Sequence, residues 1–320
     1  MKSNYDIIWS ECVDSTNEEA KRRLSSLDNL SVLSVLSQTK GRGQRGTVWL
    51  SEPGANLLFS IVLKFAGEDI RDSQRRLQIS SVNAYDQFVI SQIASISVVD
   101  LLAAHEIQAR IKWPNDIYVD DKKICGILIE NTVKGKWLSS SIIGIGLNVN
   151  QRNFDVNLPN PTSMSLCSEE VQPPFDLKDL LEEFMDVFTG YLDRFCHITG
   201  GYNRLSRLYR SQLWRLDQPA EFIDMTAGFI DQTDGFIDQT DRFIDLTDGF
   251  IDQTDGAHID LRSGTTNLPA RTIRHRSPLS PAGTPFRGII RGTSPVGHLL
   301  VELPDGSTRE FSFKEIAYIL

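Results

Sequence analysis

The chain has 320 residues, 40% of them hydrophobic, enough to bury one large core and a smaller one. Its net charge of −9 is mostly local, because residues 222 to 256 hold nine Asp and one Arg. The nearly neutral remainder excludes the broad positive face of a general nucleic-acid binder.

Cys12, Cys125, Cys167 and Cys196 form neither a CxxC pair nor a metal-ligand spacing. No N-terminal signal pattern is present, and no apolar run reads as long enough to span a bilayer. A cytoplasmic protein with reduced thiols and no membrane contact is expected.

In chain order, Tyr5 to Cys12 reads as a strand. The helix that follows, "DSTNEEAKRRLSSL", has Ser15 placed as its cap and Glu18 placed to close a capping box. "SVLSVLSQ" alternates apolar and polar residues, as a half-buried strand does. After the glycine-rich "TKGRGQRGTVW" come a turn and a strand in "PGANLLFSIVLKF", then helical spacing from about Tyr85 to His105. "ARIKWPNDIYVDDKKICGILIEN" predicts a strand, an acidic turn at Asp120-Asp121 and a second strand. "WLSSSIIGIGLNVN" predicts another. Asp176 begins a long helix, and a second helix covers roughly Tyr202 to Leu213. The tail from Pro285 reads as short strands with a Pro304-Asp305-Gly306 turn, as in a small antiparallel barrel.

Between them, FIDMTAG, FIDQTDG, FIDQTDR, FIDLTDG and FIDQTDG run without a gap from Phe222 to Gly256. The seven-residue period carries no a/d stripe, and Gly, Thr and Asp disfavour helix. Neither an EF-hand nor a nonapeptide calcium pattern is present. Composition predicts an expanded insert with little structure, followed by a proline-rich basic linker.

Gly41, Gly43 and Gly46 have the G-x-G-x-x-G spacing of a dinucleotide loop. That loop requires a helix after it, and here a strand follows. What remains is a flexible loop bearing Arg42 and Arg45, residues suited to gripping carboxylate or phosphate in a fork.

Four segments in this order resemble the biotin-protein ligase catalytic domain. They are "STN" at 15–17, "GRGQRG" at 41–46, "KWPND" at 112–116 with "KKICGILIE" at 122–130, and "GIGLNVN" at 144–150. The terminal "PFRGIIRG…GHLLVELPDG…FSFKEI" resembles that family's small C-terminal barrel. The resemblance implies an α+β fold, a mixed sheet with packed helices related to class II aminoacyl-tRNA synthetases, plus an SH3-like β-barrel. The domains expected are 1–213 (catalytic) and 214–320 (barrel), the latter interrupted at about 224–283. No N-terminal DNA-binding domain is expected, since the catalytic pattern starts by Tyr5.

The implied reaction joins biotin and ATP into biotinyl-AMP and pyrophosphate, then moves the acyl group to a lysine of a biotin carboxyl carrier domain. Two anions must be held in line despite their repulsion, so preorganised cations are required. Lys123, Arg42 and Arg45 are the candidates, with Lys123 bridging carboxylate and phosphate. Ser15, Thr16 and Gln38 match positions that contact the ureido ring, with Gly41 and Arg42 closing over it. Gly126, Gly144 and Gly146 are suited to lining the slot, where a close approach is needed.

Asn115 and Asp116 are candidates for Mg²⁺ or nucleotide contact, Asp116 as the metal ligand. Asn17 and Asn148 are candidates on the nucleotide side, and Trp49 packs on adenine or on the core. Gln44 stands where many family members carry Arg. Residues 39–49 are expected to be a lid over a reactive anhydride, disordered when empty. The alternatives are a lipoate-protein ligase of the same fold, or a disabled ligase whose insert is an interaction segment. Monomer and homodimer both remain open.

Overall fold

The computed structural model describes residues 5–44, 47–65, 82–168, 174–196, 201–226 and 283–319. The repeats lie outside this set from residue 227 onward, as do the basic linker and Arg45.

The first sheet has seven strands: β1 (Asp6–Val13), β2 (Ser31–Gln38), β3 (Leu57–Lys64), β4 (Arg110–Lys112), β5 (Asp116–Val119), β6 (Lys122–Lys134) and β7 (Trp137–Leu147). Their spatial order is β1-β2-β3-β7-β6-β5-β4. Only the β1–β2 pair is parallel, so the sheet is mixed, as expected.

Helix α1 (Thr16–Arg22) covers one face through Ala20, with Leu33, Val62 and Ile142 beneath it. On the other face lie α2 (Phe88–Ala104), α4 (Leu177–Cys196) and α5 (Gly201–Ser211); the short α3 (Met164–Cys167) precedes α4. Cover on both faces explains one correction. Ser31 to Val35 of β2 are all buried rather than alternating, because a strand sandwiched between two layers has no solvent side.

Helix α2 also departs from expectation. With the turn before it, Ala84–Ala104 is long and apolar enough to cross a membrane by length and composition, at a mean hydropathy of 1.6. Most of it is buried against the sheet and its neighbouring helices. An all-round apolar helix of this kind serves as the core of a large layer.

The expected capping box at α1 is not formed. Ser15 has the extended N-cap backbone, but its hydroxyl makes no capping bond. Asp14 Oδ1 accepts the Ser15 N–H at 2.8 Å, the bond Glu18 was expected to make. Glu18 turns instead to Lys21 and Arg42.

The second sheet holds β8 (Pro219–Asp224), β9 (Thr284–Thr293), β10 (Leu299–Glu302), β11 (Thr308–Phe311) and β12 (Ile316–Tyr318). All its pairs are antiparallel, in the order β11-β10-β9-β8-β12, so β11 and β12 are its edges. The Pro304-Asp305-Gly306 turn joins β10 to β11, with Gly306 at φ +80°. The two sheets meet where Trp113 Nε1 donates to Gly297 O at 2.9 Å. Trp214 packs there between Tyr118 and Tyr318.

Candidate active site

A cavity of about 480 Å³ opens on the α1 side of the first sheet. Side chains alternate along strands, so Gly126, Leu128 and Glu130 of β6 share one face. Register places Gly126 opposite Gly146, Leu128 opposite Gly144, and Ser60 opposite Gly144 on the other side. The floor of the cavity is therefore a patch of missing side chains.

Two groups fill that patch. A Cβ on Gly144 would collide with the Asn17 amide, and Cβ atoms on Gly146 and Gly126 would stand 2.5 and 2.9 Å from the Trp49 indole. The glycines do admit a close approach, and what approaches is this chain's own Asn17 and Trp49. Trp49 sits on the cavity floor, and its Nε1 is buried with no hydrogen-bond partner among the described residues.

Of the residues expected at the site, Ser15, Thr16, Asn17, Gln38, Arg42, Trp49, Asn115, Asp116, Lys123, Gly126, Gly144, Gly146 and Asn148 all line the cavity. Gly41 is not on the wall. It packs behind the loop, accepting the Trp49 N–H at 2.9 Å. Arg45 lies outside the described residues. In the described part of the expected lid, Arg42 forms a bridge with Val48, and Gly43 N donates to Thr47 O at 2.7 Å.

Several wall groups are already engaged. The Gln38 Oε1 accepts from Thr16 N at 2.8 Å, and Thr16 Oγ1 lies 2.7 Å from Ser60 Oγ. Asn17 uses both ends of its amide, accepting from Ser60 at 2.6 Å and donating to Glu130 at 2.8 Å. That leaves Asn17 a scaffold for α1 more than a free ligand contact. Asn115 Nδ2 donates to Ile127 O at 2.6 Å. Asn148 Nδ2 donates to Thr162 O at 2.9 Å, while its Oδ1 is buried without a partner among the described residues. An orphaned buried acceptor on a cavity wall is a natural ligand contact.

The two expected cations that are described, Arg42 and Lys123, are held by carboxylates. Lys123 Nζ lies 2.7 Å from Asp116 Oδ1 across the β5–β6 hairpin. Asp120 makes that hairpin tight by adopting φ +51°, a left-handed conformation that Asp tolerates. Arg42 Nη1 donates to Glu18, which also binds Lys21 at 3.0 Å. Lys21 in turn reaches the buried Glu130 at 2.7 Å.

Asp116 is the one carboxylate on the cavity wall, and no cluster of three or more metal-ligating side chains occurs among the described residues. That donor set fits Mg²⁺ only in the manner of an ion held by one or two carboxylates plus substrate phosphates.

Other wall residues escaped sequence reasoning. Lys112 and Tyr118 flank Asp116, Phe154 and Leu158–Pro161 form the far side, and Phe313, Ile316, Ala317 and Tyr318 arrive from the second sheet. Lys112 stands inside the quoted "KWPND", which was a usable signal. The others carry none, since only tertiary packing brings them here. Burial lowers the Lys112 pKa, with Lys123 and Arg215 adding to the effect and Asp116 opposing it.

A model of the biotin/lipoate A/B protein ligase family matches residues 9–148. The bifunctional ligase/repressor BirA of Escherichia coli is 32% identical over 148 residues, which are 46% of this chain and 42% of that protein. The biotin–[acetyl-CoA-carboxylase] ligase of Paracoccus denitrificans is 29% identical over 213 residues, 64% of this chain and 80% of that one. The chain spans about half the length of the first curated relatives it matches. Biotin protein ligase from Aquifex aeolicus, solved with biotin and ATP, superposes with a TM-score of 0.61. The two are 20% identical, and the superposition covers 98% of this chain and 97% of that one. The mixed α+β fold is therefore that of a biotin protein ligase. Residues 9–148 thus match the model of the biotin/lipoate A/B protein ligase family, and the chain is similar to biotin-protein ligases.

Proposed function

We propose that the protein is an ATP-dependent biotin-protein ligase, with a biotin carboxyl carrier domain as acceptor. The observation that carries this is the convergence of four separated motifs on one cavity, with the cations Arg42 and Lys123 at its wall.

In the first step a biotin carboxylate oxygen bonds to the α-phosphorus of ATP as the bond to the leaving pyrophosphate breaks. Arg42 and Lys123 exchange their internal carboxylate partners, Glu18 and Asp116, for the substrate anions. They are positioned in advance, so little reorganisation is needed as charge develops. Ser15, Thr16 and Gln38 take the ureido end, and Trp49 and Asn148 take the nucleotide side. Asp116, with Asn115 beside it, would hold Mg²⁺, whose charge would offset that of the phosphates. In the second step a lysine amine of the acceptor bonds to the acyl carbon and AMP leaves.

Residues 1–213 form the catalytic domain in this proposal, and the second sheet is an SH3-like barrel spanning 214–320. A cytoplasmic location accords with the free thiols of Cys12, Cys125 and Cys167. Because the family includes lipoate ligases, substrate choice needs a direct test. ATP–pyrophosphate exchange is measured with biotin, lipoate or no acid, in the native protein and in Lys123→Ala. Biotin-dependent exchange that collapses in the variant is expected. Exchange with lipoate alone would make it a lipoate ligase, and exchange under no condition would make it a disabled one.

A further inference from the structure

We propose that Lys112 and Tyr318 form a separate seat for the diphosphate end of the nucleoside triphosphate, built at the junction of the two sheets. The inference rests on the adenylation chemistry above and adds to it the anchor for the leaving group.

Three cationic side chains reach the described cavity wall: Arg42, Lys112 and Lys123. Two of them are matched to internal carboxylates, Arg42 to Glu18 and Lys123 to Asp116. Lys112 makes no ion pair among the described residues. Its Nζ donates to Tyr118 Oη at 3.0 Å. It lies 4.5 Å from the Tyr118 ring centroid, 5.2 Å from that of Tyr318 and 5.8 Å from that of Trp214. Aromatic faces stabilise a cation without a counter-ion. An ammonium has three donors, so two remain for an anion after the bond to Tyr118.

Tyr318 supplies the second observation. Its hydroxyl is buried with no hydrogen-bond partner among the described residues, and the residue lines the same cavity. Buried phenols normally find a partner, so an orphan beside a caged cation marks a ligand position. Burial raises the Tyr318 pKa far above neutrality, which keeps the group a donor. Pairing of Tyr318 with Phe222 and ring contacts with Phe222 and Trp214 fix its direction.

The chemistry requires such a seat. A triphosphate brings several negative charges, and the carboxylate and α-phosphate already call on Arg42 and Lys123. When the bond to the α-phosphorus breaks, the electron pair goes to the departing diphosphate. A preorganised cation and a neutral donor at that end stabilise the charge as it forms. The second sheet is then part of the nucleotide site through one phenol oxygen.

Calorimetric titration with ATP, AMP, inorganic pyrophosphate and biotin tests the seat in the full chain, Lys112→Met, Lys112→Arg and Tyr318→Phe. Lys112→Met is expected to weaken ATP and pyrophosphate about tenfold or more, with AMP and biotin within about twofold. Lys112→Arg keeps the charge and is expected to recover most of the ATP affinity. Tyr318→Phe removes one oxygen and is expected to weaken ATP about fourfold, again sparing AMP. Should Lys112→Met fail to fold, Tyr318→Phe decides alone. Equal losses for ATP and AMP, or no loss for either, would overturn the seat. Native protein that binds ATP and pyrophosphate selectively through these residues but binds no biotin would keep the seat and remove the biotin ligase assignment.

Discussion

The Trp49 indole lies against the backbone of Gly146, so closely that a Cβ on Gly146 would stand 2.5 Å from Trp49 Cε2 and 2.7 Å from Nε1. Gly146→Ala should therefore push the indole off the cavity floor. Overpacking of this kind costs about 1–3 kcal/mol of stability. Biotin-dependent exchange should fall about tenfold or more, because a near-attack geometry is lost. Melting and exchange both matching the native protein would show that the indole moves without cost.

Lys123 and Asp116 form a pair 2.7 Å apart on neighbouring strands. Lys123→Ala removes a preorganised cation and should lower exchange about 10²- to 10³-fold. Asp116→Asn leaves that cation in place, so its effect should be smaller and appear mainly in the KM for ATP. Equal losses in kcat from the two variants would contradict the separation of roles.

Glu18 competes with the substrate for Arg42 in the proposed mechanism. Glu18→Gln should lower the KM for ATP about threefold, with stability changed by no more than about 1 kcal/mol, as for an exposed ion pair. A raised KM would mean that Glu18 orients Arg42 rather than restraining it.

Asp224 and Thr284 are register partners at the open end of the β8–β9 pair, and Gly283 N donates to Asp224 O at 2.6 Å. The chain thus leaves and re-enters the sheet at adjoining positions. Replacing residues 227–282 with Asn-Gly leaves a loop of about five residues between Asp224 and Thr284, a length that antiparallel hairpins use. Melting temperature should stay within about 4 °C of the native protein, with exchange kinetics within about twofold. A lost second sheet, or activity gained or lost tenfold, would assign the repeats a role.

The Asp224 carboxylate is almost fully buried, at 1% exposure. Burial alone would raise its pKa, but hydrogen bonds from Thr226 and Arg309 outweigh that and hold it below the usual range. A depressed folded-state pKa contributes stability above the unfolded value, near about 4, and that contribution is lost as pH falls through the folded value. Asp224→Asn should cost about 1.5–3 kcal/mol at neutral pH. The gap from the native protein should close on acidification below about pH 4. A gap independent of pH would mean that packing, not charge, is at stake.

Strands β2, β3, β6 and β7 and helices α2 and α4 are visible in the sequence because local periodicity and turn residues encode them, as at Asp120-Asp121. Most of the cavity wall was legible too, since Ser15, Arg42, Asp116, Lys123 and Gly144 sit in short motifs whose residue types match a known chemistry. Local pattern misled where a neighbour supplied a better partner. Asp14 took the Ser15 N–H that a capping box would use, and two helical layers buried both faces of β2.

The sequence by itself therefore determined most of the strand and helix order, the resemblance to a ligase family, and several of the cations and glycines that line the cavity. Tertiary structure alone decided what those groups touch in the folded chain. Arg42 reaches Glu18, Trp49 occupies the space over Gly126 and Gly146, and Tyr318 closes the cavity more than 190 residues beyond Lys123. The physical reason is range. Periodicity and turn chemistry act over a few residues, whereas pairing of charges and filling of space depend on neighbours that only the packed chain brings together.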